Sequence, residues 1–277
     1  AAAPPPAAVL AAMAEEGITV THVYGLTEIY GPAIICAWQD EWDDLPLDER
    51  ARLQSRQGVP YEVLEDMMVA DPETMEPVAQ DGESMGEVFT RGNVTMKGYL
   101  KNPKATQEAF AGGWFHTGDI GAFTDRGQLL IVDRKKDLVK LQQGEYVALS
   151  KVENVMKQSP LVASALCYAR SSESYCVALV VVNPKPFLKL AERQGLGNQS
   201  LEALLKAKVM ADAVQAEIAS AAKGKLAPFE VPKKIALDAE PWTPENDMVT
   251  AAFKLKRANI YEQFQGAIDG MYKGKGR

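Results

Sequence analysis

A change of texture near Asp137 constrains the fold of this chain more than any other feature. From Val59 to Asp133, short β-rich runs (YEVLEDMMVAD, GEVFTRG, QLLIVD) alternate with turns such as QDGES and TDRGQ. That rhythm predicts antiparallel sheet or a small barrel. One short helix, NPKATQEAF, interrupts it, with Thr106 able to cap. Upstream, residues 5–15 read as a helix entered through prolines, TVTHVYG as a strand, and DEWDDLPLDERARL as an acidic, proline-broken surface stretch that turns helical. Beyond Asp137 helices and strands alternate. SKVENVMKQS predicts a helix opened by a Ser150 N-cap with Glu153 three residues later, a capping-box pattern. VASALCYA, YCVALVVVNP and KKIALDA read as strands, and PFLKLAERQG as a helix ended by Gly195. Residues 200–222 read as one longer helix whose apolar positions Leu201, Leu205, Val209 and Met210, Val214, Ile218 are expected in a core. FKLKRANIYEQF closes the chain as a helix. The tail is therefore expected to be a layered α+β domain.

Charge divides at the same place. The net charge of −7 is the sum of −12 through Asp137 and +5 from Leu138 onward. An acidic body joined to a basic tail suggests two units, the second suited to an anionic ligand. Solvated surface charge would explain the split as well. Neither half has the dense basic stripe of a nucleic-acid binder. No apolar run is long enough to span a bilayer, and the opening AAAPPPAAVLAAM makes a poor signal peptide. The ending MYKGKGR carries no peroxisomal or endoplasmic-reticulum signal. Cys36, Cys167 and Cys176 show no CxxC pairing, which points to a reducing compartment, and cytoplasm is the default expectation.

Four stretches can carry chemistry. VYGLTE, residues 23–28, puts a hydroxyl and a carboxylate, Thr27 and Glu28, after a glycine. HTGDIG, residues 116–121, offers Asp119 on what reads as a turn, where a carboxylate can accept hydrogen bonds from a diol or merely cap its own turn. DRKKDLVK, residues 133–140, reads as a solvated linker after the apolar LLIV. EPWTPENDMVTAAFKLKR, residues 240–257, is a loop leading to Lys254 and Arg257.

Taken in order, these stretches resemble the adenylate-forming superfamily, and within it the acyl-CoA synthetases. VYGLTE is similar to the family's Tyr-Gly-x-Thr-Glu motif, and Ala2, Ala3 and Pro4 to the end of its adenine-side Gly-Ala-x-Pro segment. GEVFTRGNVTMKGYLKNPKATQEAF resembles the block before the ribose site. The resemblance implies an α/β fold plus α+β. Residues 1–133 would form the C-terminal part of the large AMP-binding domain, with its β-rich subdomain. Residues 134–137 would be a hinge, and 138–277 a small mobile lid domain. It implies ATP or AMP as the nucleotide, with Tyr24 against adenine, Gly25 among the nucleotide-binding residues, Thr27 near the α-phosphate and Glu28 toward Mg2+. Asp119 would hold the ribose hydroxyls, Arg134 would be a second contact, and Lys136 the pivot. Lys140 would approach the adenylate phosphate, and Lys254 the reacting carboxylate and α-phosphate. Gly144, in the GEYV loop, would leave room for the pantetheine of coenzyme A.

The implied reaction joins a carboxylic acid to CoA through an acyl-adenylate, and the resemblance of the tail domain points to a long-chain fatty acid. Two departures accompany the resemblance. The family's Gly- and Ser/Thr-rich phosphate loop ending in Pro-Lys-Gly is absent from this sequence, so the chain resembles a C-terminal portion and its isolated activity is expected to be poor. Kinship is also mixed. WQDEWDDLPLDERARLQSRQGVPY and MKGYLKNPKATQEAF resemble the short- and medium-chain branch, while DRKKDLVKLQQGEYVALSKVE and NDMVTAAFKLKR resemble the long-chain branch. A non-catalytic adenosine- and CoA-binding module is the alternative, and peripheral membrane association is compatible with either.

Overall fold

A computed structural model describes Pro5 and residues 7–273. The chain divides into two compact units, Ala1–Lys136 and Asp137–Arg277.

In the first unit, α1 (Ala7–Glu15) precedes an antiparallel sheet of β1 (His22–Leu26), β2 (Gly31–Cys36) and β3 (Val59–Pro60), with α2 (Leu47–Gln54) inserted before β3. A second antiparallel sheet runs in the order β4 (Asp66–Ala70), β5 (Gly86–Arg91), β6 (Phe115–Phe123), β7 (Leu129–Arg134), with α3 (Pro103–Ala109) between β5 and β6. The two sheets share a core in which Ile34 of β2 packs with Val69, Val88, Phe123 and Leu129. The buried Gln57 fastens them further, its amide oxygen accepting from the Ile131 N–H at 2.6 Å.

The second unit begins with the β-hairpin β8 (Leu138–Lys140) and β9 (Tyr146–Ala148), followed by α4 (Leu149–Met156). Its main sheet runs β10 (Val162–Tyr168), β11 (Val177–Val182), β12 (Lys234–Asp238), the first pair antiparallel and the second parallel. Four helices join the last two strands and the C-terminus: α5 (Pro184–Arg193), α6 (Leu201–Lys206), α7 (Lys208–Ala222) and, after β12, α8 (Arg257–Tyr272). The run VALVVV is the central strand, buried on both faces, as an unbroken apolar run requires. Alternation then sends Ala178, Val180 and Val182 toward α4, α5 and α7, and Val177, Leu179 and Val181 toward α8. The result is helices on both sides of one sheet. All three cysteines are buried and free, Cys36 in the first unit and the other two in the second.

Several local expectations give way. HTGDIG is not a turn but the body of β6, interrupted by a bulge. Thr106 lies inside α3, and the cap is Asn102, whose side chain accepts from the Ala105 N–H at 3.1 Å. Ser150 lies inside α4, which starts after Ala148 without a side-chain cap. Glu153 is buried instead, accepting the Cys167 N–H and pairing with Arg257, so tertiary partners outbid the capping box. Residues 200–222 form two helices, because Ala207 adopts an extended ψ of 119° between them. That break turns Val209 out to solvent while Met210, Val214 and Ile218 fill the core. In YEVLEDMMVAD only Asp66–Ala70 is strand. Ala2, Ala3 and Pro4 lie outside the described residues.

Candidate functional site

The first unit gathers Tyr24, Asp119 and Arg134, which are far apart in sequence. β6 and β5 pair Ile120 with Glu87 and His116 with Phe89, so Thr117, Gly118 and Asp119 face the lone Val88. Such an excess re-aims side chains. Gly118 takes φ of +71°, a left-handed conformation natural to glycine. Thr117 Oγ1 donates to the Val88 carbonyl at 2.7 Å and accepts the Asp119 N–H at 3.1 Å. Asp119 pairs in register with Arg134 of β7, whose Nε stands 3.7 Å from its carboxylate. From the other sheet, the Tyr24 hydroxyl donates to Asp119 Oδ2 at 2.6 Å. Burial pushes the Asp119 carboxyl up, against the Tyr24 hydrogen bond and the Arg134 charge. Burial, and then the Asp119 charge, lifts the Tyr24 phenol far above its ordinary range, so it stays a neutral donor. An ionised Asp119 retains acceptor positions beyond the one Tyr24 uses, which is what a vicinal diol requires.

The VYGLTE segment forms β1 and the 3-10 turn Thr27–Ile29. Gly25 is dictated by packing, since a Cβ there would stand 1.7 Å from the Gly31 carbonyl oxygen. Thr27 is exposed. Glu28 is half-buried and accepts from the Tyr99 hydroxyl at 3.1 Å, while its backbone carbonyl receives the Met96 N–H at 2.7 Å. Among the described residues no group of three or more His, Cys, Asp or Glu side chains forms a metal cage. Glu28 instead offers one carboxylate, the donor set suited to Mg2+ that keeps waters and phosphate oxygens as its other ligands.

Lys136, exposed, is the last residue of the first unit. In the second unit, Lys140 ends β8 with its ammonium 5.5 Å from the Tyr146 ring centroid. Gly144 turns the β8–β9 hairpin at φ +103°, with open space where a Cβ would point. Backbone conformation therefore requires the glycine there, and crowding does not. Lys254 is exposed on a turn in which its carbonyl accepts the Thr250 N–H at 2.8 Å and its N–H donates to Thr250 Oγ1 at 3.2 Å. Three residues on, Arg257 opens α8 and binds both Glu153 oxygens, at 2.5 and 3.0 Å, and Asp137 at 3.0 Å. Sequence reading missed Glu87, Tyr99 and the Glu153–Arg257–Asp137 cluster. Glu153 and Arg257 were visible singly, in a capping-box pattern and at the end of a loop, and Glu87 as an acidic residue in the apolar run GEVF.

Residues 1–100 match the model of the AMP-binding enzyme family. An acetate–CoA ligase of Humulus lupulus, CCL3, is 51% identical over 174 residues, which is 63% of this chain and 30% of that protein. Long chain acyl-CoA synthetase 8 of Arabidopsis thaliana is 37% identical over 262 residues, 92% of this chain and 35% of its own length. The chain thus spans about a third of the curated relatives it matches. Among solved structures, the A domain of a carboxylic acid reductase from Segniliparus rugosus, in complex with AMP and a co-purified carboxylic acid, superposes with a TM-score of 0.74. That alignment has 26% identity and covers 98% of this chain and 38% of the other.

Proposed function

We propose that this chain, whose residues 1–100 match the AMP-binding enzyme family, serves an ATP-dependent carboxylate–CoA ligase. The observation that carries the reading is the meeting of Tyr24 and Asp119 at 2.6 Å beside Arg134, within a family-matched fold. In it, Asp119 accepts the ribose hydroxyls, Tyr24 lies against the adenine and Gly25 belongs to the nucleotide-binding turn. Thr27 donates to the α-phosphate. The carboxylate of the acid attacks that phosphorus and pyrophosphate departs, leaving an acyl-adenylate. Lys254 is assigned to the two anions that the attack brings together, where its positive charge would lower the barrier by electrostatic preorganisation. Glu28 is the carboxylate that would hold Mg2+, which when bound neutralises phosphate charge.

In the second half-reaction the CoA thiol displaces AMP from the mixed anhydride. Lys136 is the proposed pivot, and the unit boundary after it supports that role. Lys140 approaches the adenylate phosphate, and the Gly144 hairpin the pantetheine. We assign a long-chain fatty acid as substrate on the 92% span shared with the long-chain relative, against the shorter span shared with the acetate ligase. Buried free thiols suit a reducing compartment.

The test is carboxylic-acid-dependent ATP–pyrophosphate exchange, scanned from acetate to palmitate. The expected outcome is exchange that rises with chain length and that Lys254→Ala abolishes, while the variant still binds AMP. Exchange untouched by Lys254→Ala would overturn the assigned roles. A second reading is a non-catalytic adenosine- and CoA-binding module. AMP binding without any exchange would select it.

A further inference from the structure

Glu87 is 2% exposed, yet it lies on none of the stretches assigned to nucleotide, metal or acid. It stands on β5 opposite the β6 bulge, and its two oxygens serve different neighbours. Oε1 accepts the Gly118 N–H at 3.1 Å. Oε2 receives the Lys135 ammonium at 3.1 Å and faces His116 Nδ1 at 3.5 Å. A carboxylate buried to this degree persists where charged partners and hydrogen bonds offset its desolvation.

The two contacts address two parts of the proposed site. Gly118 immediately precedes Asp119, and its left-handed conformation turns the Asp119 side chain toward Tyr24 and Arg134. With Val88 the only β5 residue opposite Thr117–Asp119, ladder pairing is locally interrupted, and Glu87 supplies the acceptor for the Gly118 N–H. Lys135 directly follows Arg134 and precedes Lys136, so the same carboxylate restrains the proposed hinge segment.

We propose that Glu87 is a positioning residue that sets the Gly118 bulge with one oxygen, aiming Asp119 at the ribose, and latches the hinge segment through Lys135 with the other. This rests on the nucleotide reading of the site, and its test is built to separate the two.

Three variants of the full chain divide the roles. Glu87→Gln keeps an oxygen for the Gly118 N–H but loses the ion pair. Glu87→Ala loses both, and Lys135→Met loses only the ion pair. Two measurements are made: amide hydrogen exchange in peptides covering 116–120 and 134–137 without ligand, and AMP affinity by calorimetry. Glu87→Ala should exchange faster in both segments and bind AMP about tenfold more weakly, the scale of one lost charge-assisted hydrogen bond. Glu87→Gln should recover most of that affinity and protect 116–120, while exchanging fast at 134–137. Lys135→Met should match it at 134–137 alone. Unchanged exchange at 116–120 in Glu87→Ala, or equal AMP losses in the Gln and Ala variants, would overturn the proposal. Should the parent chain not bind AMP, the nucleotide reading fails, and the ligand-free exchange contrast still decides the role of Glu87 in the bulge.

Discussion

Asp119 carries a cost that its surroundings do not cancel. Burial raises its folded pKa above the unfolded value, so the unfolded chain ionises first as pH rises. Stability from this group is therefore full below the unfolded pKa of about 4 and lost as pH climbs through the folded value. Asp119→Asn removes that loss while keeping an oxygen for the Tyr24 hydroxyl. We expect its thermal midpoint at pH 7 to equal or exceed that of the parent, with the difference vanishing toward pH 4 and AMP binding lost at both. A midpoint well below the parent's at pH 7 would mean that Arg134 and Tyr24 stabilise the carboxylate more than burial penalises it. If Asp119 holds the ribose as proposed, function there runs against stability, as it commonly does at binding sites.

Elements with a strong period were legible in the sequence, and those fixed by partners from elsewhere were not. PFLKLAERQG could be read as a helix from its apolar spacing, and VALVVV as a buried strand from its short length and its run of β-branched valines. The β6 bulge could not, since it depends on Glu87, some thirty residues away. HTGDIG has the composition of a turn and becomes strand only by pairing on both sides with β5 and β7. Ser150–Glu153 has the spacing of a capping box, but Arg257, over a hundred residues later, claims the glutamate. Within the candidate site, residue identities came from motifs, whereas the Tyr24–Asp119 contact needed the fold. Caps are the element-scale test. Asn102→Ala should cost about 1 kcal/mol in denaturant unfolding, and Asn102→Asp little, because only the acceptor at the start of α3 matters. Unchanged stability in Asn102→Ala would show that its side chain does not cap α3.

At the scale of the molecule, the hydrophobic clusters segregate: two lie wholly within Ala1–Lys136 and two wholly within Asp137–Arg277. The Arg257 cluster belongs to the second unit, and burial already lifts the Glu153 carboxyl against its arginine. Arg257→Ala strands that carboxylate in the core, an injury of about 3–5 kcal/mol for a broken buried pair. The damage should be confined to the second unit. The cysteines give each unit a chemical clock of its own. Cys167 and Cys176 are fully buried and Cys36 is only 7% exposed, so a thiol reagent modifies them chiefly when the surrounding structure opens. Labelling rates therefore report the opening of each unit separately, without any engineered probe. Arg257→Ala should hasten modification of Cys167 and Cys176 and leave Cys36 at its parental rate, as mass spectrometry of the labelled peptides would show. Equal acceleration at all three would mean that the two halves open as one body. Evolution has left, in three unremarkable thiols, a built-in means of timing the two halves independently.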